Sequence, residues 1–230
     1  MLSKTSVRLF TAALMLTMVG CGPSHRLGEY NFRQASVAAV CEVPPFPDVL
    51  TGPLVIDLPD NPVGAVLEAG SRAAREISAR RVEEKLDSAT ARVDLALLIE
   101  DESLRRASRA LGAEPGPERE SDFLLEIWVH EYGIQATDWD ATANFFIDAD
   151  ATLLDSYDGR EVWRAGVRAQ DPVGPEVFGP GAVRDVVTAA AIADLSVEEM
   201  ARALEQLAEF TAYQITEQLR YDLAETRRSR

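Results

Sequence analysis

From Asp122 to Gln135 the chain alternates. Phe123, Leu125, Ile127 and Val129 fall on one side of an extended segment, and Leu124, Glu126, Trp128, His130 and Tyr132 on the other. A period of two is the side-chain repeat of a β-strand. Thr142 to Asp155 repeats the pattern, with Ala143, Phe145, Ile147, Ala149, Ala151 and Leu153 opposite Asn144, Phe146, Asp148, Asp150 and Thr152. A third segment, REVWRAGVRA from Arg160, follows SYDG, whose Asp158-Gly159 carries turn chemistry. Together they predict an antiparallel meander with one apolar and one mixed face. The apolar face requires a cover, and helices are the expected one.

On either side of the meander the period lengthens to that of a helix. Ala35 to Val43 is a candidate strand that Pro44, Pro45 and Pro47 stop, and Leu54 to Leu58 is a short extended piece closed by Pro59 and Pro62. Asn61 caps and Pro62 opens a helical stretch in which Val66, Leu67, Ala74, Ile77, Val82 and Leu86 recur. A second helix is predicted from about Ala89 to Leu111. Its stripe begins with Leu95, Leu98 and Ile99, breaks at Glu100-Asp101-Glu102, and resumes out of register with Leu104, Ala107 and Leu111 before Gly112 ends it. GAEPGPERES and DPVGPEVFGPG read as loops. Val183 to Leu195 reads as a helix. Ser196-Val197-Glu198-Glu199 is a capping box for another, with a stripe of Met200, Leu204, Leu207, Phe210, Ala212, Ile215 and Leu219. Arginines at its end suit the helix dipole. The expected class is α+β: an antiparallel β-meander in a mixed sheet, packed by N-terminal and C-terminal helices, with residues 35–230 as a single domain.

The first twenty residues follow another logic. Lys4 and Arg8 precede an uncharged run of 11 residues, Leu9 to Val19, and Gly20 stands before Cys21. A basic front, a short apolar centre and a small residue at the cut describe an export signal. The run falls short of the roughly 20 residues of a transmembrane helix. Met18-Val19-Gly20-Cys21 resembles the bacterial lipobox, with Met18 where leucine is usual. The resemblance implies cleavage between Gly20 and Cys21, acyl chains such as palmitate on Cys21, and residues 1–20 as the signal peptide. Gly22, where a retention signal would have Asp, implies delivery to the periplasmic face of the outer membrane. Residues 21–34, rich in Gly, Pro and polar side chains, are expected to be the lipidated cysteine and its tether.

Composition narrows the function. Hydrophobic residues make up 47% of the 230, enough for a core. The net charge is −15, and the signal segment carries two bases and no acid. Such a surface repels phosphate backbones, which counts against nucleic acid as a partner. It also offers no polybasic attraction to a membrane. Lipid supplies what charge does not, since each buried methylene contributes about 0.8 kcal/mol and two chains anchor stably. Cys41, the other cysteine, is expected to be a small buried hydrophobe, with an intermolecular disulfide as the less favoured reading.

Chemistry is sparse. His130-Glu131 would need a second histidine at position 134, where Ile134 stands, to match a zinc-protease helix. Asp138, Asp140, Asp148, Asp150, Asp155 and Asp158 could serve calcium, but the EF-hand spacing is lacking and a solvated strand face accounts for Asp148 and Asp150. There is no Gly-x-Ser-x-Gly elbow, phosphate loop or dinucleotide fingerprint. No cofactor, metal or catalytic residue is therefore expected. Trp128, Tyr132, Phe146 and Trp163 are the candidate partner-binding residues, as an exposed aromatic patch on the mixed face.

Asp122, Leu124, Leu125, Leu153, Leu154, Asp155, Gly159, Val162 and Trp163 form a strand and hairpin. The pattern resembles that of periplasmic lipoproteins assisting ABC transporters and of curli-secretion and Tol-type amino-terminal domains, over residues 35–170. That resemblance implies a scaffold with no catalytic residue to carry over. The favoured expectation is a lipid-anchored, non-catalytic transport or assembly accessory with an envelope protein partner. The alternatives are a membrane-tethered Asp/Glu-dependent hydrolase and a calcium- or small-ligand-binding lipoprotein.

Overall fold

A computed structural model describes residues 25–51, 80–136, 143–171 and 194–228. The predicted extended piece at Leu54 to Leu58, the Pro62 helix start, Asp138, Asp140 and most of the Val183 to Leu195 helix lie outside them. The described elements are a 3-10 turn (Leu27–Glu29), strand β1 (Ser36–Glu42), strand β2 (Asp48–Thr51), helical residues 80–90 (α1), helix α2 (Leu95–Leu111), strand β3 (Glu114–Pro115), strands β4 (Phe123–Ala136), β5 (Ala143–Asp155) and β6 (Glu161–Asp171), and helix α3 (Val197–Arg228).

The class is α+β and the sheet is mixed. The strand order is β3-β1-β4-β5-β6, with β2 also on β4. The predicted meander is present, since β4, β5 and β6 are antiparallel neighbours. It is only half of the sheet, however, because β1 and β2 both run parallel to β4. β1 lies beside Phe123 to Trp128 and β2 beside Gly133 to Ala136. Pro44, Pro45 and Pro47 fall in the gap between them, where a residue without an N–H cannot join a ladder. The two strands thus line one edge of β4 in succession. β1 ends before the prolines as expected, and β2, just beyond them, was not anticipated from the sequence.

Two residues pin that parallel pairing. The Asp122 carboxylate accepts from the Ser36 N–H at 2.7 Å and from its hydroxyl at 2.8 Å, while the Ser36 hydroxyl accepts from the Asp122 N–H at 3.0 Å. The next pair in register is Val37 with Phe123. Asp122 opens the strand in the motif that prompted the scaffold resemblance, and its role here is to fix strand register.

α2 packs on β1 and on α3, and α3 packs on β5, β6 and the 3-10 turn. α2 starts at Leu95 rather than at Ala89, because Asp94 caps it by accepting from the Leu97 N–H at 3.0 Å. Gly112, at φ +74°, closes it as predicted. Its buried stripe is Leu95, Ile99, Ser103, Ala107 and Leu111, an unbroken i, i+4 series. The acidic Glu100-Asp101-Glu102 run, expected to break the stripe, falls between buried Ile99 and Ser103 and leaves the series intact. The Ser196 capping box forms in both directions: Glu199 accepts from the Ser196 N–H at 2.8 Å, and the Ser196 hydroxyl accepts from the Glu199 N–H at 3.2 Å. Buried Thr211 and Thr216 of α3 donate to carbonyls one turn back.

The amino-terminal residues belong to the fold. Leu27 and Phe32 are buried, and Tyr30 and Phe32 pack on Phe123. The Arg26 N–H donates to the Val162 carbonyl at 2.7 Å. Residues 25–34 are therefore not the loose tether that their Gly and polar content predicts. Their aromatic and aliphatic side chains find the apolar pole of the sheet, and burial outweighs local composition.

Candidate functional site

Of the four aromatic residues expected to form an exposed patch, the structure leaves one at the surface. Trp128 is 56% exposed, whereas Tyr132, Phe146 and Trp163 are buried. Each departure has its own cause.

A bulge in β4 moves Tyr132. Val129 pairs with Ala149 and Glu131 with Asp148, so His130 has no cross-strand partner. One extra residue reverses the alternation beyond it. Tyr132 consequently pairs with Ile147 on the core face, where it is buried. Burial pushes its phenol pKa up. A second irregularity does the same in β6. Leu153 pairs with Trp163 and Leu154 with Glu161, which leaves Val162 as the extra residue. Val162 and Trp163 are both buried, and the Trp163 indole N–H donates to the Asp222 carboxylate of α3 at 2.8 Å. Phe146 keeps its predicted face but is buried there, with the Arg168 guanidinium 5.4 Å from its ring centre. Arg168 is held in turn by Asp148 at 3.3 Å and by the Gln135 side-chain carbonyl at 2.9 Å.

Trp128 therefore stands among charges rather than among aromatics. Across the sheet its row reads Glu42, Trp128, Asp150, Gly166. The next row toward the hairpin reads Val40, Glu126, Thr152, Arg164. His130, displaced by its bulge, lies 3.2 Å from the Asp150 carboxylate. His130 is thus a surface residue on a strand, in ion-pair reach of an aspartate. This side of the sheet offers one exposed indole flanked by carboxylates. Such a surface suits a partner that brings both apolar contact and positive charge.

Among the described residues no group of three or more His, Cys, Asp or Glu side chains could hold a metal. A hollow of about 630 Å³ near the β5–β6 turn contains Glu120, Asp122 and Asp155. Asp122 is committed to Ser36, and Asp155 accepts from the Tyr157 N–H at 2.9 Å. The Ser36 hydrogen bonds hold the Asp122 carboxyl below the usual carboxylate range, whereas a general acid needs the opposite shift. Cys41 lies half-buried on the core side of β1. Burial, then the charges of Glu100, Asp94 and Glu42, push its thiol up to about 12. It remains protonated and is a weak nucleophile. Sequence reasoning missed Gly133, where φ is +151° and a Cβ would run into the Asp48 backbone of β2. A glycine inside an alternating strand was the available signal.

No protein-family model matches the chain, and no curated protein does. Among solved structures, a Xanthomonas campestris protein of the family DUF330 is similar at 21% identity and a TM-score of 0.35. The match covers 58% of this chain and 64% of that one, less than two thirds of its length. A PelC dodecamer from Paraburkholderia phytofirmans is similar at 11% identity and a TM-score of 0.30, covering 81% of this chain and 93% of that one. Lipoprotein GNA1162 from Neisseria meningitidis is similar at 21% identity and a TM-score of 0.23, covering 60% of this chain and 83% of that one.

Proposed function

We propose that this chain is a lipid-anchored protein of the bacterial cell envelope that acts as a non-catalytic transport or assembly accessory. The observation that carries the reading is the order of parts at the amino terminus. Lys4 and Arg8, an 11-residue uncharged run and Met18-Val19-Gly20-Cys21 follow one another, and among the described residues Arg26 is already bonded to β6. A signal cleaved before Cys21 would leave every described element on the mature chain. Lipid on Cys21 would hold so acidic a domain at a bilayer that its charge cannot seek. Gly22 fits the periplasmic face of the outer membrane.

The accessory role needs a protein partner, and the exposed Trp128 row is the surface this reading assigns to it. A large exposed indole is a usual anchor of an interface, and the carboxylates beside it suit a partner carrying positive charge. The test is capture from detergent-solubilised envelope. Wild type should carry acyl chains by mass and co-purify with a partner. Cys21→Ala should lose the acyl mass and the membrane fraction. Trp128→Ala should stay membrane-bound and fully folded yet lose the partner. A Cys21→Ala chain that remains as membrane-bound as wild type would remove the anchor from this reading, and capture unchanged in Trp128→Ala would remove the assigned surface.

A further inference from the structure

The leash between lipid and fold is short, and it enters at one end of the molecule. Four residues lie between Cys21 and Arg26, and the five steps from one to the other span at most about 18 Å at ~3.6 Å per residue. Arg26 is fixed to the Val162 carbonyl at the start of β6. Along β6 the far end at Gln170 lies about 26 Å away at ~3.3 Å per residue. That is beyond the leash. In the other direction the β5–β6 turn projects about 10 Å past Val162, by the same rise per residue. The turn is tight, closed by the Gly159 N–H donating to the Asp155 carbonyl at 2.8 Å. At its tip Tyr157 is 98% exposed, more than any other large hydrophobic side chain among the described residues. Arg33 and Arg119 line the same hollow as Tyr157, together with Glu120, Asp122 and Asp155, and Arg160 is paired with Asp158 at 3.4 Å. Tyrosine favours the boundary between headgroups and acyl chains, where its ring is buried and its hydroxyl stays wet.

We propose that this pole is the membrane-facing surface of the protein, with the Ser156 to Gly159 hairpin tip resting on the phospholipid headgroups and Tyr157 as its contact. The inference rests on lipidation of Cys21. It orients the molecule: the sheet and α3 stand up from the bilayer, and the pole carrying Gln170 points away from it.

The test uses the full chain, lipidated in cells and reconstituted into vesicles of phosphatidylcholine and phosphatidylglycerol. Cys41→Ser serves as background so that one added cysteine takes the fluorophore. Tyr157→Cys and Gln170→Cys, both at exposed positions, are compared for quenching by a nitroxide carried on the lipid headgroup, after melting temperatures confirm that both fold. The label at 157 should be quenched several-fold more than the label at 170. Equal quenching, or stronger quenching at 170, in protein that floats with vesicles and carries acyl mass overturns the orientation and leaves the anchor standing. A chain with no acyl mass that does not float overturns the anchor and the orientation with it.

Discussion

Asp122 and Cys41 show how differently a polar side chain can be used at the two ends of β1. Asp122 holds Ser36 by three hydrogen bonds, and its carboxyl titrates below the ordinary range. A carboxyl depressed in the folded state stabilises above the unfolded pKa, and that contribution is lost as pH falls through the folded value. Glu198 and Glu199, lowered by Arg92 and Ser196 respectively, shift in the same direction. Acid should therefore weaken the fold below about pH 4, the unfolded carboxylate range. In Asp122→Asn the melting temperature should be lower at neutral pH and should depend less on pH through the acid range, as read by circular dichroism. Cys41 works by staying neutral. With its thiol at about 12, alkylation by iodoacetamide at pH 8 should run at least roughly tenfold slower in the native chain than in urea. Equal rates would place the thiol in solvent and reopen the disulfide reading.

At the scale of elements, what could be read from the sequence was what repeats, and what could not was what interrupts repetition. β4, β5 and β6 fall where the alternation places them, and the Ser196 box and the Gly112 cap sit where their residues predict. These are local signals with a local physical cause. The two bulges are different. Each adds one residue, and the sequence carries no mark of it except Gly133 downstream of the first. Yet they decide which way Tyr132 and Trp163 point, and so they remove half of the expected aromatic patch. β2 went unread because its pairing with β4 is parallel and non-local. The Glu100-Asp101-Glu102 run made the α2 stripe look interrupted, although the buried face passes from Ile99 to Ser103, where a small hydroxyl can be buried as a charge cannot. Gly133 offers a direct test of the first bulge region. Gly133→Ala forces a Cβ against Asp48 and strains a positive φ, and should cost more than about 2 kcal/mol in urea unfolding. Ser196→Ala removes one half of a capping box and should cost about 1 kcal/mol. A Gly133→Ala chain as stable as wild type would mean that β2 does not lie against β4.

For the whole molecule the decisive residues are those that the sequence assigns to a tether. If residues 25–34 were a linker, removing them would shorten the reach of the domain and leave its stability alone. The packing predicts the reverse. Leu27 and Phe32 are nearly inaccessible, Tyr30 meets Phe123 edge-on, and α3 rests on the turn they form. Complete burial of one such side chain contributes about 1.5–3 kcal/mol, so losing Leu27 and Phe32 together removes several. A typical domain has only about 5–15 kcal/mol in all. A chain beginning at Gly22 should therefore unfold as the acyl-free full domain does, whereas one beginning at Ala35 should melt many degrees lower or fail to fold. Phe32→Ala within the longer chain separates packing from length. It keeps every backbone bond, including that of Arg26 to Val162, and should still cost about 3–5 kcal/mol. If the chain from Ala35 melts with the longer one, the first ten described residues are a linker after all. The leash would then be long enough to free the orientation of the domain. The stability of this short segment and the direction the protein faces are thus one physical question.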